Sequence, residues 1–271
     1  MKPHILTIGI ALLFVIMAAT IVVLYMAQPD ADPINSLTLQ SKPSTKPPYP
    51  AKVFDLTNWK LTLPIGFLKH PTEVKQPELA TYSIDPWFMV NEEGNGISFR
   101  APVNGVTTSG SSYPRSELRE MINDGKEKAN WSSNLGIHTM TLEEAITAVP
   151  KHKQHVVAGQ IHDDNDDILV IRLEYPKLYV NVDGDNVYTL DSNYTLGKKF
   201  TIKMAMMGEE TKIYYNDNPD PVYTLSKKYS GAYFKAGAYT QSNCSREVSP
   251  DLCNANNYGE VVVYNVSVMH E

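Results

Sequence analysis

Cysteine is scarce in this chain, with two residues in 271. That excludes a disulfide-framework miniprotein and any four-cysteine zinc site. Basic residues are in the minority, 24 Lys and Arg against 30 Asp and Glu. A nucleic acid held by bulk positive charge is therefore not expected as a partner. Long stretches of 3.6-residue periodicity are also scarce, so β structure is the main expectation. Glycine and proline, 15 and 18 residues, fall short of a collagen-like or low-complexity composition. What is present is an ordinary globular mixture, 42% hydrophobic and 20% charged, in which the prolines are unevenly placed.

From Ile5 to Ala27 there is no charged side chain, and Lys2 precedes the run. Spanning a bilayer takes about 20 apolar residues, whereas a signal-peptide core has about 7–15. The run lacks a clean small-x-small cleavage site. An uncleaved signal-anchor and a cleaved signal peptide (residues 1–27) both fit, and a buried core helix is the remaining alternative. Either of the first two places the rest of the chain outside the cytoplasm, secreted or anchored to a membrane through residues 5–27. Residues 28–50 hold six of the eighteen prolines and read as an extended spacer. The folded domain is then 51–271, with 21 basic and 28 acidic residues and a net charge of −7.

Inside that domain the pattern has period two. Lys199 to Met206, Lys212 to Tyr215, Ile168 to Glu174, Leu178 to Val182 and Glu260 to Val268 read as strands. Asp183-Gly184 and Asp124-Gly125 are turn signals. Leu142 to Val149 suits a strand or a short helix. Many strands joined by Gly, Asn and Asp turns imply a β-sandwich. The acidic run Asp163 to Asp167 lacks the glycine and terminal glutamate of a calcium loop, so a solvated turn is expected and no metal. Cys244 and Cys253 lie in a polar stretch, and in an exported chain they read as a local disulfide.

Three segments carry chemistry. In Tyr113 to Glu120, a strand would put Arg115, Glu117 and Arg119 on one face. Two guanidinium groups flanking a carboxylate can form an ion-paired donor array, with Glu117 holding both, although a solvated edge strand would also look like this. In Val156 to His162, Gln160 and His162 project together while Ile161 points to the opposite layer. In Tyr233 to Gln241, the odd positions give Tyr233, Lys235, Gly237, Tyr239 and Gln241. The even positions give Phe234, Ala236, Ala238 and Thr240. One face is polar and able to move protons, and the other is small and apolar, as for a lined cleft backed by a core.

Together the segments Arg115-Ser116-Glu117-Leu118, Gln160-Ile161-His162 and Tyr233 to Gln241 resemble the alginate lyases of polysaccharide lyase family 7, in motif, order and spacing. The resemblance covers roughly Val53 to Glu271. It implies an all-β jelly-roll of two antiparallel sheets with a substrate cleft on the concave face, preceded by the apolar helix and the proline-rich linker. The implied partner is the anionic polysaccharide alginate, cleaved by β-elimination to leave 4,5-unsaturated uronate ends, by a monomer that needs no cofactor.

The resemblance also assigns roles. Arg115 and Gln160 would grip the substrate carboxylate, where charge builds as the C5 proton leaves. For guluronate, His162, an imidazole with an ordinary pKa near 6.5, suits the base and Tyr239, a phenol, the acid that protonates the departing O4; for mannuronate Tyr239 could do both. Glu117, Arg119, Tyr233, Lys235 and Gln241 would be further substrate contacts. Ile161, at the middle of its motif, points to guluronate-containing or mixed blocks. A non-catalytic carbohydrate-binding module and a lyase for another polyuronate such as glucuronan remain as alternatives. A glycoside hydrolase would need two positioned carboxylates, and no strand offers a suitable run.

Overall fold

The structure, a computed structural model, describes residues 46–271. The apolar run and most of the proline-rich spacer lie outside the described residues. Among the described residues no helix is long and apolar enough to cross a membrane. Pro50 is buried at the start of a 3-10 turn, Pro50–Lys52, so packing begins there.

Strands then follow one another: β1 (Trp59–Phe67), β2 (His70–Val74), β3 (Phe88–Val90), β4 (Ile97–Pro102), β5 (Arg115–Ile122), β6 (Glu127–Lys128), β7 (Ile137–Ala148) and β8 (His155–His162). The second half holds β9 (Asp167–Glu174), β10 (Lys177–Val182), β11 (Asp185–Asp191), β12 (Phe200–Met207), β13 (Glu210–Tyr215), β14 (Tyr223–Ser226), β15 (Tyr233–Thr240) and β16 (Tyr258–His270). One sheet has the order β11-β10-β9-β8-β15-β5-β1-β2, with β6 beside β5. The other runs β14-β13-β12-β7-β16-β4-β3. The three motif strands thus lie side by side as β8-β15-β5, although long stretches of chain separate them.

Period two builds the core. In β12, Phe200, Ile202, Met204 and Met206 turn inward and the residues between them face out. Across from them Leu118, Ile161, Phe234, Ala236 and Ala238 close the sandwich from the other sheet. Leu142 to Val149 falls almost wholly within β7, because β7 is paired on both sides, by β12 and β16. Helix and strand propensity do not decide a segment whose backbone groups are taken up by two neighbours. Glu120 also points inward. Its Oε2 accepts from Trp131 Nε1 at 3.1 Å and from the backbone N–H of Phe234 at 2.8 Å, and its Oε1 pairs with His270 Nε2 at 2.5 Å. A carboxylate so deep needs all its acceptor positions filled, and this one locks β15 onto β5 and β16.

One irregularity aims the site. The β15–β8 register shifts by one residue between Ala236 and Tyr239. Gly237 sits in that bulge with φ +128°, and a Cβ there would lie 2.7 Å from the carbonyl oxygen of Ser116. Only glycine accepts both conditions without strain. Gly237→Ala is expected to cost about 2 kcal/mol or more in urea unfolding; a loss below about 0.5 kcal/mol would mean the bulge relaxes freely.

Candidate active site

On β5 seven of eight residues are buried, on both faces. The inward face is covered by the core. The outward face carries Arg115, Glu117 and Arg119, and its two arginines line a cleft of about 490 Å³. Strand register brings the other motif residues over it. Lys235 lies opposite both Arg119 and Gln160, Tyr239 opposite Arg115, and Tyr233 opposite His162. Gly237 lies opposite Glu117, so the β15 residue paired with Glu117 brings no side chain of its own.

Glu117 is the centre of the arrangement, with a side chain only 1% exposed. Its Oε2 takes Lys235 Nζ at 2.5 Å and Arg115 Nη1 at 3.3 Å, and its Oε1 takes the Gln160 amide. Burial alone would raise its pKa, but Lys235 and Arg115 overcome that and lower it. Glu117, expected as a sugar contact, has both carboxylate oxygens engaged by protein donors here. The expectation that it holds both guanidinium groups is corrected. Arg119 instead donates to the carbonyls of Glu120 at 2.6 Å and Ala129 at 3.3 Å, and lies 3.8 Å over the Tyr233 ring. Burial and the neighbouring Arg115 lower the pKa of Lys235 to about 8, against the compensation of Glu117 and, more weakly, Asp167.

His162 stands at the cleft edge. Its Nδ1 lies 2.5 Å from the carbonyl oxygen of Asp163, which can only accept. The ring proton therefore sits on Nδ1, and Nε2 is left with a bare lone pair. Burial lowers its pKa, and Lys235 and Arg115 add to that. Tyr233 stacks on the ring, with centroids 5.4 Å apart. Tyr239 lies beneath the Arg115 guanidinium, 3.9 Å from its carbon. Arg115 lines the cleft and bonds Glu117 through Nη1, so its planar fork has further N–H donors for an anion. The cleft can thus present a fixed cation, an amide, a neutral imidazole and a phenol to one substrate.

Gln241 lines a second hollow of about 300 Å³ beyond Tyr239, with Tyr113, Arg172 and Asn181. Asp167 departs from the solvated turn read in the sequence. It begins β9, is half-buried in both hollows, and burial with Asp166 beside it raises its pKa to about 6. The rest of the run is more open, and Asp163 caps the turn by accepting from Asn165 and Asp166 N–H. Cys244 and Cys253 are joined in a disulfide.

Sequence reasoning missed several cleft residues. Lys60, paired with Glu73, and Thr62 occupy the polar positions of the alternating run Trp59 to Leu63, a signal that was present. Tyr113, whose hydroxyl accepts from Lys153 Nζ at 3.0 Å, and Ser111 come from a loop with no periodic signal. Burial would raise the pKa of Tyr113, but Lys153 and Arg246 bring it below the ordinary phenol value.

A two-sheet jelly roll whose outer face carries this cationic cleft defines a β-sandwich protein with a groove suited to an anionic ligand. The chain belongs to the alginate lyase family, whose model matches residues 54–270. Over 174 residues it is 32% identical to an alginate lyase of Klebsiella pneumoniae, a match spanning 54% of this chain and little more than half, 56%, of that protein. The crystal structure of the alginate lyase from Corynebacterium sp. is 49% identical with a TM-score of 0.79, covering 82% of this chain and 98% of that one. A doubly substituted family 7 alginate lyase A1-II', solved in complex with substrate (GGMG), is 27% identical with a TM-score of 0.67, covering 83% of this chain and 97% of that one.

The lowered pKa of His162 has a definite sign. A group that must be neutral to act loses activity as pH falls through its folded pKa, and that value lies below 6.5. The acid limb of kcat/KM is expected below about 6.5. A midpoint above 7 in the pH profile would rule out His162 in this electrostatic setting as the base.

Proposed function

We propose that this chain cleaves alginate by β-elimination, with guluronate-containing or mixed blocks preferred. The observation that carries the reading is the convergence of Arg115, Gln160, His162 and Tyr239 on one cleft, in a chain of this family. The uronate carboxylate meets Arg115 and the N–H of Gln160 that Glu117 leaves free. As the C5 proton leaves, charge builds on that carboxylate, and donors already in place stabilise it without reorganisation.

His162 Nε2 takes the C5 proton, and its electron pair forms the C4–C5 double bond as the C4–O4 bond breaks. Tyr239 gives its proton to O4. The enzyme ends with one proton more on His162 and one fewer on Tyr239, and exchange with water restores both. For guluronate the proton and the leaving group lie on opposite sides, which suits two separate groups. Lys235, Arg119 and Lys60 supply positive charge along the floor for neighbouring carboxylates. Ile161 is fully buried beneath Gln160 and His162, so it acts on block preference only by setting their height. Sub-ångström placement at a reacting centre changes rates strongly.

Ultraviolet absorbance of the new double bond tests the reaction. Purified polyguluronate, polymannuronate and glucuronan at equal uronate concentration are expected to rank in that order. Binding to alginate without absorbance would make the protein a sugar-binding module. Faster release from glucuronan would move the substrate, and a clear polymannuronate preference would overturn the block assignment alone.

In the same assay, His162→Ala and Tyr239→Phe are each expected to lower kcat by about 100-fold or more. Near-parental turnover in either folded variant would remove that residue from the mechanism.

A further inference from the structure

We infer that Ser111 is a positioning residue for Tyr239, presented by a loop that two distant side chains pin in place. The inference rests on the lyase reading above. Ser111 lies between β4 and β5, half-buried at the cleft rim. Its Oγ is 2.9 Å from the Tyr239 hydroxyl and accepts the N–H of Tyr113 at 3.0 Å. The serine proton has two acceptors in reach, the Tyr239 oxygen and, at 3.3 Å, the carbonyl of Tyr113. The shorter contact is the better bond.

Before reaction either hydroxyl of the Ser111–Tyr239 pair can donate. Once Tyr239 has passed its proton to O4, the phenolate oxygen can only accept. Ser111 then donates to it, while the Arg115 guanidinium over the ring balances the charge. No bond to Ser111 forms or breaks, and its proton stays on Oγ. Hydrogen bonds to a charged acceptor are stronger than neutral ones. The contact therefore tightens as negative charge develops, which lowers the barrier more than it strengthens substrate binding.

The loop is held on both sides of Ser111. Lys69 Nζ, from the β1–β2 turn, donates to the Ser111 carbonyl at 2.7 Å and to Thr107 Oγ1 at 3.0 Å. Asn243 Nδ2 donates to the Ser112 carbonyl at 2.9 Å. Asn243 also caps the short turn that begins with Cys244, so the disulfide to Cys253 anchors the second pin. Three segments outside the motif strands thereby fix where the serine hydroxyl meets the phenol.

Ser111→Ala and Ser111→Thr in the full chain test this on one alginate preparation. Ser111→Ala is expected to lower kcat about tenfold while KM changes by less than about twofold. Ser111→Thr keeps the hydroxyl and is expected to stay within about threefold of the parent. An unchanged kcat in Ser111→Ala, a loss confined to KM, or equal losses in both variants would each overturn the inference. A parent that forms no unsaturated ends defeats the lyase reading instead. An active parent with an indifferent Ser111→Ala defeats only the serine.

Discussion

The site depends on one buried carboxylate. Glu117 is held by Lys235, Arg115 and Gln160, which come from β15, β5 and β8. Burying two cations side by side is costly unless an anion lies between them. Lys235, lowered to about 8 with Glu117 in place, shows how narrowly the balance is kept. Removing one partner from such a cluster typically costs about 3–5 kcal/mol, because the others remain buried without compensation. Glu117 therefore keeps the floor both positive and rigid, and it fixes which way the Gln160 amide points.

That cluster answers an apparent conflict of charge. A domain with net charge −7 would repel a polyanion if charge were spread evenly. It is not: Lys60, Arg115, Arg119, Lys128 and Lys235 all border one cleft. Net charge governs solubility, while local field governs binding. The positive cleft is modified at one rim, where Asp164 and Asp166 of the β8–β9 turn and Asp167 at the start of β9 face it. Burial keeps Asp167 easier to protonate than an ordinary carboxylate, which softens that rim toward an acidic ligand as pH falls.

The same few contacts serve stability and chemistry. Glu120 holds β15 from the core side through the Phe234 N–H, and Glu117 holds it from the cleft side through Lys235. Between these two carboxylates β15 carries Tyr233, Lys235 and Tyr239 on a backbone that the Gly237 bulge re-aims. His162 is positioned differently, by a carbonyl acceptor that dictates its tautomer and by burial, aided by nearby cations, that lowers its pKa. His162 and Tyr239 thus sit in separate local environments on neighbouring strands.

Much of this was legible in the sequence. Period-two alternation placed Arg115, Glu117 and Arg119 on one face, and Gln160 and His162 on another, because side-chain direction in a strand depends only on parity. It also marked Ile161, Phe234 and Ala236 as core. Alternation says nothing of which strand lies beside which. Hence parity alone suggests that Glu117 holds Arg119, whereas strand order gives it Lys235 and Gln160 beside Arg115. Only the tertiary structure decided that β8, β15 and β5 are neighbours, that a one-residue shift at Gly237 sets the register of Tyr239, and that Ser111 reaches the phenol from a loop 128 positions away. The reason is physical: those contacts arise from sheet order and loop closure over long separations, and no local pattern encodes them.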